Sequence, residues 1–351
     1  MEVDTLKSLV VDKKGKLSVE EVPMPVYNEY KALVKMMACG ICNGTDTKLI
    51  HGNFKGFEAY PAILGHEGVG RIVEKGAKVR NFEIGDVVLL PFLEGMTGQY
   101  NSGWGAFSEY AVVGDWKAMV EDGKGPGTHW FSESYYAQQI VPEFVNPVSA
   151  TMMITLREVL SAAKRFGFKE NCNLVIFGAG PVGLCFLRIA KLLGMGQVIV
   201  FDLIDDKVEE AIRIGADFAF NSSKADVKKE VKRHFMNGAD FVVDAVGVNS
   251  LINQSMELIK HNGKICCYGI SPELSMELDW SKAPYNWTLQ FVQWPSKLEE
   301  SESHSQIINW VQMGVIKPDD FISDVIPFHN IIKAFEIVEE RKAKKKVVIE
   351  F

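Results

Sequence analysis

"NLVIFGAGPVGLCFLRIAKLLG", residues 173–194, decides the fold. Residues 174–177 are an unbroken apolar run, short enough for a strand buried on both faces. Gly178, Gly180 and Gly183 follow at G-x-G-x-x-G spacing. An amphipathic stretch then runs to Gly194, a good helix stop. A second apolar run, "QVIVFD" (197–202), ends in Asp202, nineteen residues past Gly183. Strand, glycine turn, helix and strand ending in an acid make up the dinucleotide-binding fingerprint.

The residue types suit that chemistry. Gly178 permits the tight turn, Gly180 lets the backbone approach a pyrophosphate, and Gly183 lets helix and strand pack closely. Pro181 and Val182 complete the loop at the helix start, where free N–H groups and the helix dipole attract an anion. Asp202 is expected to accept hydrogen bonds from the adenosine ribose hydroxyls. Its charge repels a 2′-phosphate, which favours NAD over NADP, and Lys207 weakens that repulsion. The competing reading is a nucleotide-free domain whose glycines serve packing alone.

Downstream the alternation continues. Helices are expected at 181–193, 205–214, 224–236 and 250–260, with strands at "FAFN" (218–221), "FVVDAVG" (241–247) and "KICCYGI" (264–270). Such alternation predicts a doubly wound parallel sheet, an α/β Rossmann domain. Upstream, residues 1–120 read as short strands separated by Gly, Pro, Asn and Asp, with no sustained helical period. Residues 95–105, "GMTGQYNSGWG", read as a turn-rich surface connection. "ATMMITLREVLSAAKRF" (150–166) is a helix stopped by Gly167. Beyond about 290 the texture is mixed, with helices near 297–313 and 329–341 and a final strand "KVVIEF".

A chain of 351 residues suits two domains. The net charge of −7 argues against nucleic acid or an anionic membrane as a partner. No apolar stretch reaches the roughly 20 residues a spanning helix needs. The N-terminus lacks the pattern of a secretory signal. The six scattered cysteines form no disulfide framework, and a reduced, cytoplasmic protein is expected. The basic run "ERKAKKK" (340–346) reads as a solvated helix end leading into a strand.

Two further stretches matter: "ACGICNGTDTKLIHG" (38–52) and "PAILGHEGVGRIVEKGAKVRNFEIGDVV" (61–88). With the fingerprint, "GWGAFSEYAVV" (103–113), "GVIKPDDFISDVIPF" (314–328) and "AFEIVEERKAKKKVV" (334–348), the chain resembles the zinc-dependent medium-chain alcohol and polyol (sorbitol-type) dehydrogenases over nearly its whole length. The resemblance implies a β-rich, GroES-like catalytic domain of residues 1–146 and 291–351 around a Rossmann NAD-binding domain of residues 147–290. It implies one catalytic zinc held by Cys42, His66 and Glu67, with Glu67 alternatively steering a ligand from outside the coordination sphere. An ion there would lower the pKa of an alcohol, so that hydride can pass to the nicotinamide. The substrate would be a secondary alcohol or its ketone, with a polyol or sugar derivative favoured, and the assembly a homodimer or homotetramer. Alternatives are a zinc-independent reductase of the same superfamily and a non-catalytic nucleotide-binding protein.

The chain departs from its relatives in several places. No cysteine lies between Cys42 and Cys172, so the cysteine quartet that holds a structural zinc in many relatives is missing. Asn146-Pro147 stands where polyol-type relatives carry Glu-Pro, which leaves the fourth zinc position open. One extra residue precedes Thr45, the candidate hydroxyl for the substrate proton, and a bulge at Asn43-Gly44 is expected to absorb it. Lys48 stands where relatives often carry a shuttle histidine, and His51 is the other candidate. Asp46 is read as a buttress for a ligand or the loop backbone. "EDGKGPGTHWFSESYYAQQIVPEF" (121–144) is an aromatic-rich insertion that can line the substrate site, act as a lid or form an oligomer contact. Its His129 and Glu133 are further candidates for reaching the metal.

Overall fold

The computed structural model describes residues 5–351. The chain forms β1 (Thr5–Val11), β2 (Leu17–Pro23), β3 (Lys31–Gly40), α1 (Asp46–Ile50), β4 (Ala62–Ile63), β5 (Glu67–Lys75), β6 (Val87–Leu89), β7 (Met96–Thr97), β8 (Tyr100–Ser102), β9 (Tyr110–Gly114) and α2 (Trp116–Glu121). Next come α3 (Pro147–Phe166), β10 (Leu174–Phe177), α4 (Pro181–Leu192), β11 (Val198–Asp202), α5 (Asp205–Ile214), β12 (Phe218–Asn221), α6 (Val227–His234), β13 (Ala239–Asp244), α7 (Asn249–Met256), β14 (Ile259–Cys267) and β15 (Trp287–Phe291). The last elements are α8 (Lys297–Glu302), α9 (His304–Gln312), β16 (Ile322–Pro327), α10 (Ile331–Glu339) and β17 (Lys346–Glu350). Two compact units result: the chain up to Arg157 with Ser296–Phe351, and Glu158–Pro295. Among the described residues no helix is long and apolar enough to cross a membrane.

The Glu158–Pro295 unit is a six-stranded sheet in the order β12-β11-β10-β13-β14-β15, parallel throughout. The order reverses between β10 and β13, which defines a doubly wound sheet and its switch point. Its apolar strands are buried as their composition requires, with Val175, Phe177, Ile199, Phe201, Val242 and Ile265 in one core. Two elements differ from expectation. The helix expected over 250–260 ends at Met256, because Ile259 pairs with Ala239 and enters β14. Strand β15 was not expected. It follows β14 without an intervening α-helix and so breaks the alternation that marks the other strands.

The other unit carries two sheets, β2-β1-β4-β8-β7 and β16-β17-β3-β5-β6, with β9 paired to β3. The 95–105 connection holds a small hairpin, β7–β8, whose second strand adds in parallel to β4. Helix α2 escaped the β-rich reading because its six residues are too short to show a period. It is set by Asp115, whose carboxylate accepts the Ala118 N–H as an N-cap. The 121–144 insertion packs against this helix. Tyr30, Ala118, Met119 and Tyr135 form a local core covered by Trp116, Trp130 and Phe131.

The end of the insertion is tied down by polar groups. The Gln138 side chain accepts the Gly114 N–H (2.7 Å) and donates to the Leu90 carbonyl (2.8 Å). Arg157, fully buried in α3, donates to the Ala137 carbonyl (3.0 Å), to Gln139 Oε1 (2.8 Å) and to Glu300 Oε1 (2.6 Å). His304 Nε2 donates to the Ile140 carbonyl (3.0 Å), while its Nδ1 lies 3.4 Å from Arg157 Nη1 and can only accept there. That tautomer is neutral. Burial first, then the Arg157 charge, lowers the His304 pKa from 6.5 to about 3, outweighing the Ile140 bond.

A histidine depressed in the native state takes up its proton on unfolding, so its contribution is complete above the ordinary pKa. That contribution is lost as pH falls from 6.5 towards 3. Between pH 7 and pH 5 it should remove about 2 kcal/mol of stability, a window largely above carboxylate titration. Urea unfolding across that range should show the loss, and His304→Gln, which keeps a donor for Ile140, should flatten it.

Candidate functional site

Strand register builds the site. Antiparallel pairing sets Gly40 of β3 opposite Glu67 of β5 and, on the other side, opposite Val348 of β17. Three strand ends therefore meet: the loop after β3 with Cys42, the start of β5 with His66 and Glu67, and the start of β17 with Lys346. Ligand atoms of Cys42, His66 and Glu67 all lie within 4.8 Å of one another. They are the one such group among the described residues. His66 and Glu67 are buried and Cys42 is half-buried.

The 42–46 loop closes on itself. The Cys42 carbonyl accepts the N–H groups of Thr45 (3.2 Å) and Asp46 (2.9 Å), and Asp46 Oδ2 accepts the Cys42 N–H (2.9 Å). The extra residue before Thr45 is thus absorbed in a hydrogen-bonded turn leading into α1. The expected bulge at Asn43-Gly44 does not form, because β3 already ends at Gly40. Asp46 is fully buried, and its Oδ1 lies 3.3 Å from His66 Nδ1. Neither atom has another hydrogen-bond partner among the described residues. This contact orients the ring and leaves Nε2 for an ion. Burial opposes a charged imidazole, but Asp46 and Cys42 together hold the His66 pKa well above its ordinary value.

Glu67 is the most tightly held of the three. Lys346 Nζ donates to Oε1 (2.8 Å) and Oε2 (2.6 Å), and Thr155 Oγ1 lies 3.4 Å from Oε1. Lys346 and Glu67 are each 3% exposed. Space for the carboxylate exists because residue 40 is glycine: a Cβ there would fall 2.4 Å from Glu67 Oε2. Lys346 was not among the candidate residues. It closes a basic run whose composition resembles a solvated surface, and its only local sign is its position at the edge of the apolar "VVIEF". The donor set of thiolate, imidazole and carboxylate, the buttressed His66 and the room left by Gly40 fit a zinc ion.

The other candidates spread out. Thr45 is buried and caps α1 without a side-chain cap bond. Lys48, half-buried, donates to the Gly44 carbonyl (2.8 Å); burial lowers its pKa against the opposing pull of Cys42. His51 is exposed and pairs with Glu339 of α10 at 3.3 Å. Asn146 is the N-cap of α3: its Oδ1 accepts the Ser149 N–H (2.9 Å), just before Pro147 at the first helical position. His129 stacks obliquely on Trp130, 5.1 Å between ring centres. Neither it nor Glu133 belongs to the ligand group. Trp104, in the stretch read as a surface connection, lies 5.5 Å from the His66 ring. Its sequence signal is an aromatic residue between two glycines.

In the other unit the glycine loop has the expected form. Gly178 adopts φ +97°, and a Cβ on Gly183 would fall 1.8 Å from the Gly178 carbonyl oxygen. Nothing lies within 4 Å of the Cβ position of Gly180, the N-cap of α4, with Pro181 and Val182 opening that helix. Asp202 braces the loop: its Oδ2 accepts the Ala179 N–H (2.7 Å) and its Oδ1 the Ile204 N–H (3.1 Å). Lys207 lies in the first turn of α5.

Removing one partner of a buried ion pair leaves the other charge stranded. Lys346→Met should therefore lower stability by about 3 kcal/mol, and adding Glu67→Gln should recover most of it. Urea denaturation of the two single variants and the double variant measures the coupling.

The family model described as "Alcohol dehydrogenase GroES-like domain" matches residues 28–121, and "Zinc-binding dehydrogenase" matches residues 181–290. The chain is 27% identical to an alcohol dehydrogenase of Geobacillus stearothermophilus over 366 residues, 98% of each chain. It is 27% identical to a sorbitol dehydrogenase of Ovis aries over 273 residues, 76% of each chain. The structure of 2R,3R-butanediol dehydrogenase from Bacillus subtilis superposes with a TM-score of 0.80 at 20% identity, covering 99% of both chains. The two matched domains together span more than half of the sequence, and the chain belongs to the zinc-dependent medium-chain alcohol/polyol dehydrogenase family.

Proposed function

We propose that the protein is a zinc- and NAD-dependent dehydrogenase of a secondary alcohol, with a polyol or sugar derivative as the favoured class. In this reading residues 1–146 and 291–351 hold one catalytic zinc, and residues 147–290 bind NAD. The convergence of Cys42, His66 and Glu67 within 4.8 Å carries it. Zinc, when bound, supplies the Lewis acid that eases ionisation of the alcohol, and NAD supplies the hydride acceptor.

The chain's own residues do the rest. Asp46 orients His66 through Nδ1 and fixes the Cys42 backbone, so two of the ligands are positioned by one carboxylate. Lys346 holds Glu67, which limits its reach towards an ion. Thr45 Oγ1 receives the substrate proton, and Lys48 Nζ, whose pKa burial has lowered, passes it towards solvent. His51 is the alternative exit. Asn146, committed to capping α3, leaves the fourth zinc position to water or substrate. On the NAD side, Asp202 braces the Ala179 N–H and would present its negative charge to the ribose of a bound cofactor.

One zinc per chain is expected on purification. Cobalt exchange should give thiolate charge-transfer absorption, lost in Cys42→Ser together with about a thousandfold of turnover. Undiminished activity of a zinc-free Cys42→Ser protein would refute the reading. Wild type should use NAD at least about tenfold better than NADP. Asp202→Asn, whose amide oxygen still accepts from Ala179, should narrow that gap by about tenfold in kcat/KM.

A further inference from the structure

The extra residue before Thr45 serves none of the chemistry assigned to zinc and NAD. It creates an Asn43-Gly44 pair, both residues exposed, directly after Cys42. Asparagine followed by glycine is the pairing most prone to form an imide with its own backbone, because no Cβ on the next residue shields the attacking nitrogen. The chain has two more such pairs, Asn237-Gly238 and Asn262-Gly263.

Geometry separates the three pairs. Thr47 Oγ1 donates to Asn43 Oδ1 (3.0 Å). That hydrogen bond polarises the side-chain carbonyl and sits where negative charge gathers when its carbon is attacked. The attacking group is also unengaged. Among the described residues the Gly44 N–H has no acceptor, whereas the N–H groups of Thr45 and Asp46 both donate to the Cys42 carbonyl. Gly238, by contrast, donates to the Phe235 carbonyl (2.8 Å). Asn262 and Gly263 lie inside β14, where Gly263 pairs with Trp287 and a Cβ on it would fall 2.8 Å from the Lys260 carbonyl oxygen. Nor does the fold require glycine at 44: its φ is not left-handed, and a Cβ there would meet only Cys42 Sγ, at 3.9 Å.

We propose that Asn43 is a self-modification site whose deamidation disarms the neighbouring metal cluster as the protein ages. The Gly44 nitrogen bonds to Asn43 Cγ, the Cγ–Nδ2 bond breaks, and the Gly44 proton leaves with that nitrogen as ammonia. Water then opens the imide. Addition at Cγ leaves aspartate. Addition at the Asn43 main-chain carbonyl leaves isoaspartate, in which the chain runs through Cβ and Cγ. No oxidant or reductant takes part. Isoaspartate adds one carbon to the backbone of a loop whose closure fixes Cys42 through its carbonyl and its N–H. The thiol is thereby drawn out of register with His66 and Glu67.

The test is to incubate the zinc-loaded full chain in neutral buffer, sample it over days and map its peptides by mass spectrometry. The peptide carrying Asn43 should gain one mass unit and split into two isomers. It should do so at least about tenfold faster than those carrying Asn237 and Asn262, where a hydrogen bond must break first. Thr47→Val and Gly44→Ala should each slow the reaction several-fold. Anion exchange isolates the aged form by its added negative charge, and that fraction should have lost most of the zinc that fresh protein holds. Conversion at Asn43 no faster than at the other two pairs, or undiminished in Thr47→Val, overturns the inference. So does an aged fraction that keeps its full zinc. The consequence rests on the zinc reading and the reaction does not: fresh protein without zinc overturns that reading, while the mass series still decides this one. Where either variant does not fold, Asn43→Gln, which must close a larger ring, decides. It should gain no mass and keep its zinc, and zinc lost at the wild-type pace overturns the inference.

Discussion

Glu67 and Lys346 face each other in a space from which water is excluded, and neither charge is tolerable there without the other. Their pairing joins residues 279 positions apart in the chain, at the start of β5 and the start of the last strand. It requires β17 to pair with β3 and β3 with β5 in one register, and it requires residue 40 to have no side chain. The same register sets Cys42 beside His66. The geometry available to a metal ion therefore depends on a strand contributed from the opposite end of the chain.

Around that pair the polar groups form a graded series. Asp46 is spent entirely on positioning, one oxygen on the Cys42 backbone and the other facing His66. Glu67 is both a donor atom in the cluster and a partner of Lys346. Cys42, the least buried of the three clustered side chains, is followed in the next turn by Thr45 and Lys48. A single five-residue loop thus supplies the cluster's thiol, the carboxylate that braces its backbone and a hydroxyl. In the other unit Asp202 plays a comparable double part by bracing the glycine loop with the carboxylate that the ribose would meet.

The β-α alternation was legible because each element there buries a face with a strict period, and the glycines mark a turn with few alternatives. The overrun of the helix at 250–260 and the omission of β15 have a common cause. A strand is completed by its neighbour's hydrogen bonds, and those are invisible in a short apolar run. The insertion at 121–144 was legible as aromatic, but its packing partner α2 was too short to be seen. The candidate ligands Cys42, His66 and Glu67 came through a resemblance carried by "CGIC" and "GHEGVG". Trp104 was hidden in a stretch rich in turn residues, where the local composition points to solvent.

Sequence alone determined the parallel sheet and the dinucleotide loop, because these are written in local spacing, while Cys42, His66 and Glu67 entered as candidate ligands only through the family resemblance. Tertiary structure alone decided which charged residues are buried and paired. Lys346 sits in a basic run like any surface lysine, and Arg157 in a helix like any exposed arginine. Both are among the most enclosed side chains of their unit, held by Glu67 and Glu300. Burial of a charge depends on a partner far along the chain, and no local pattern records that partner.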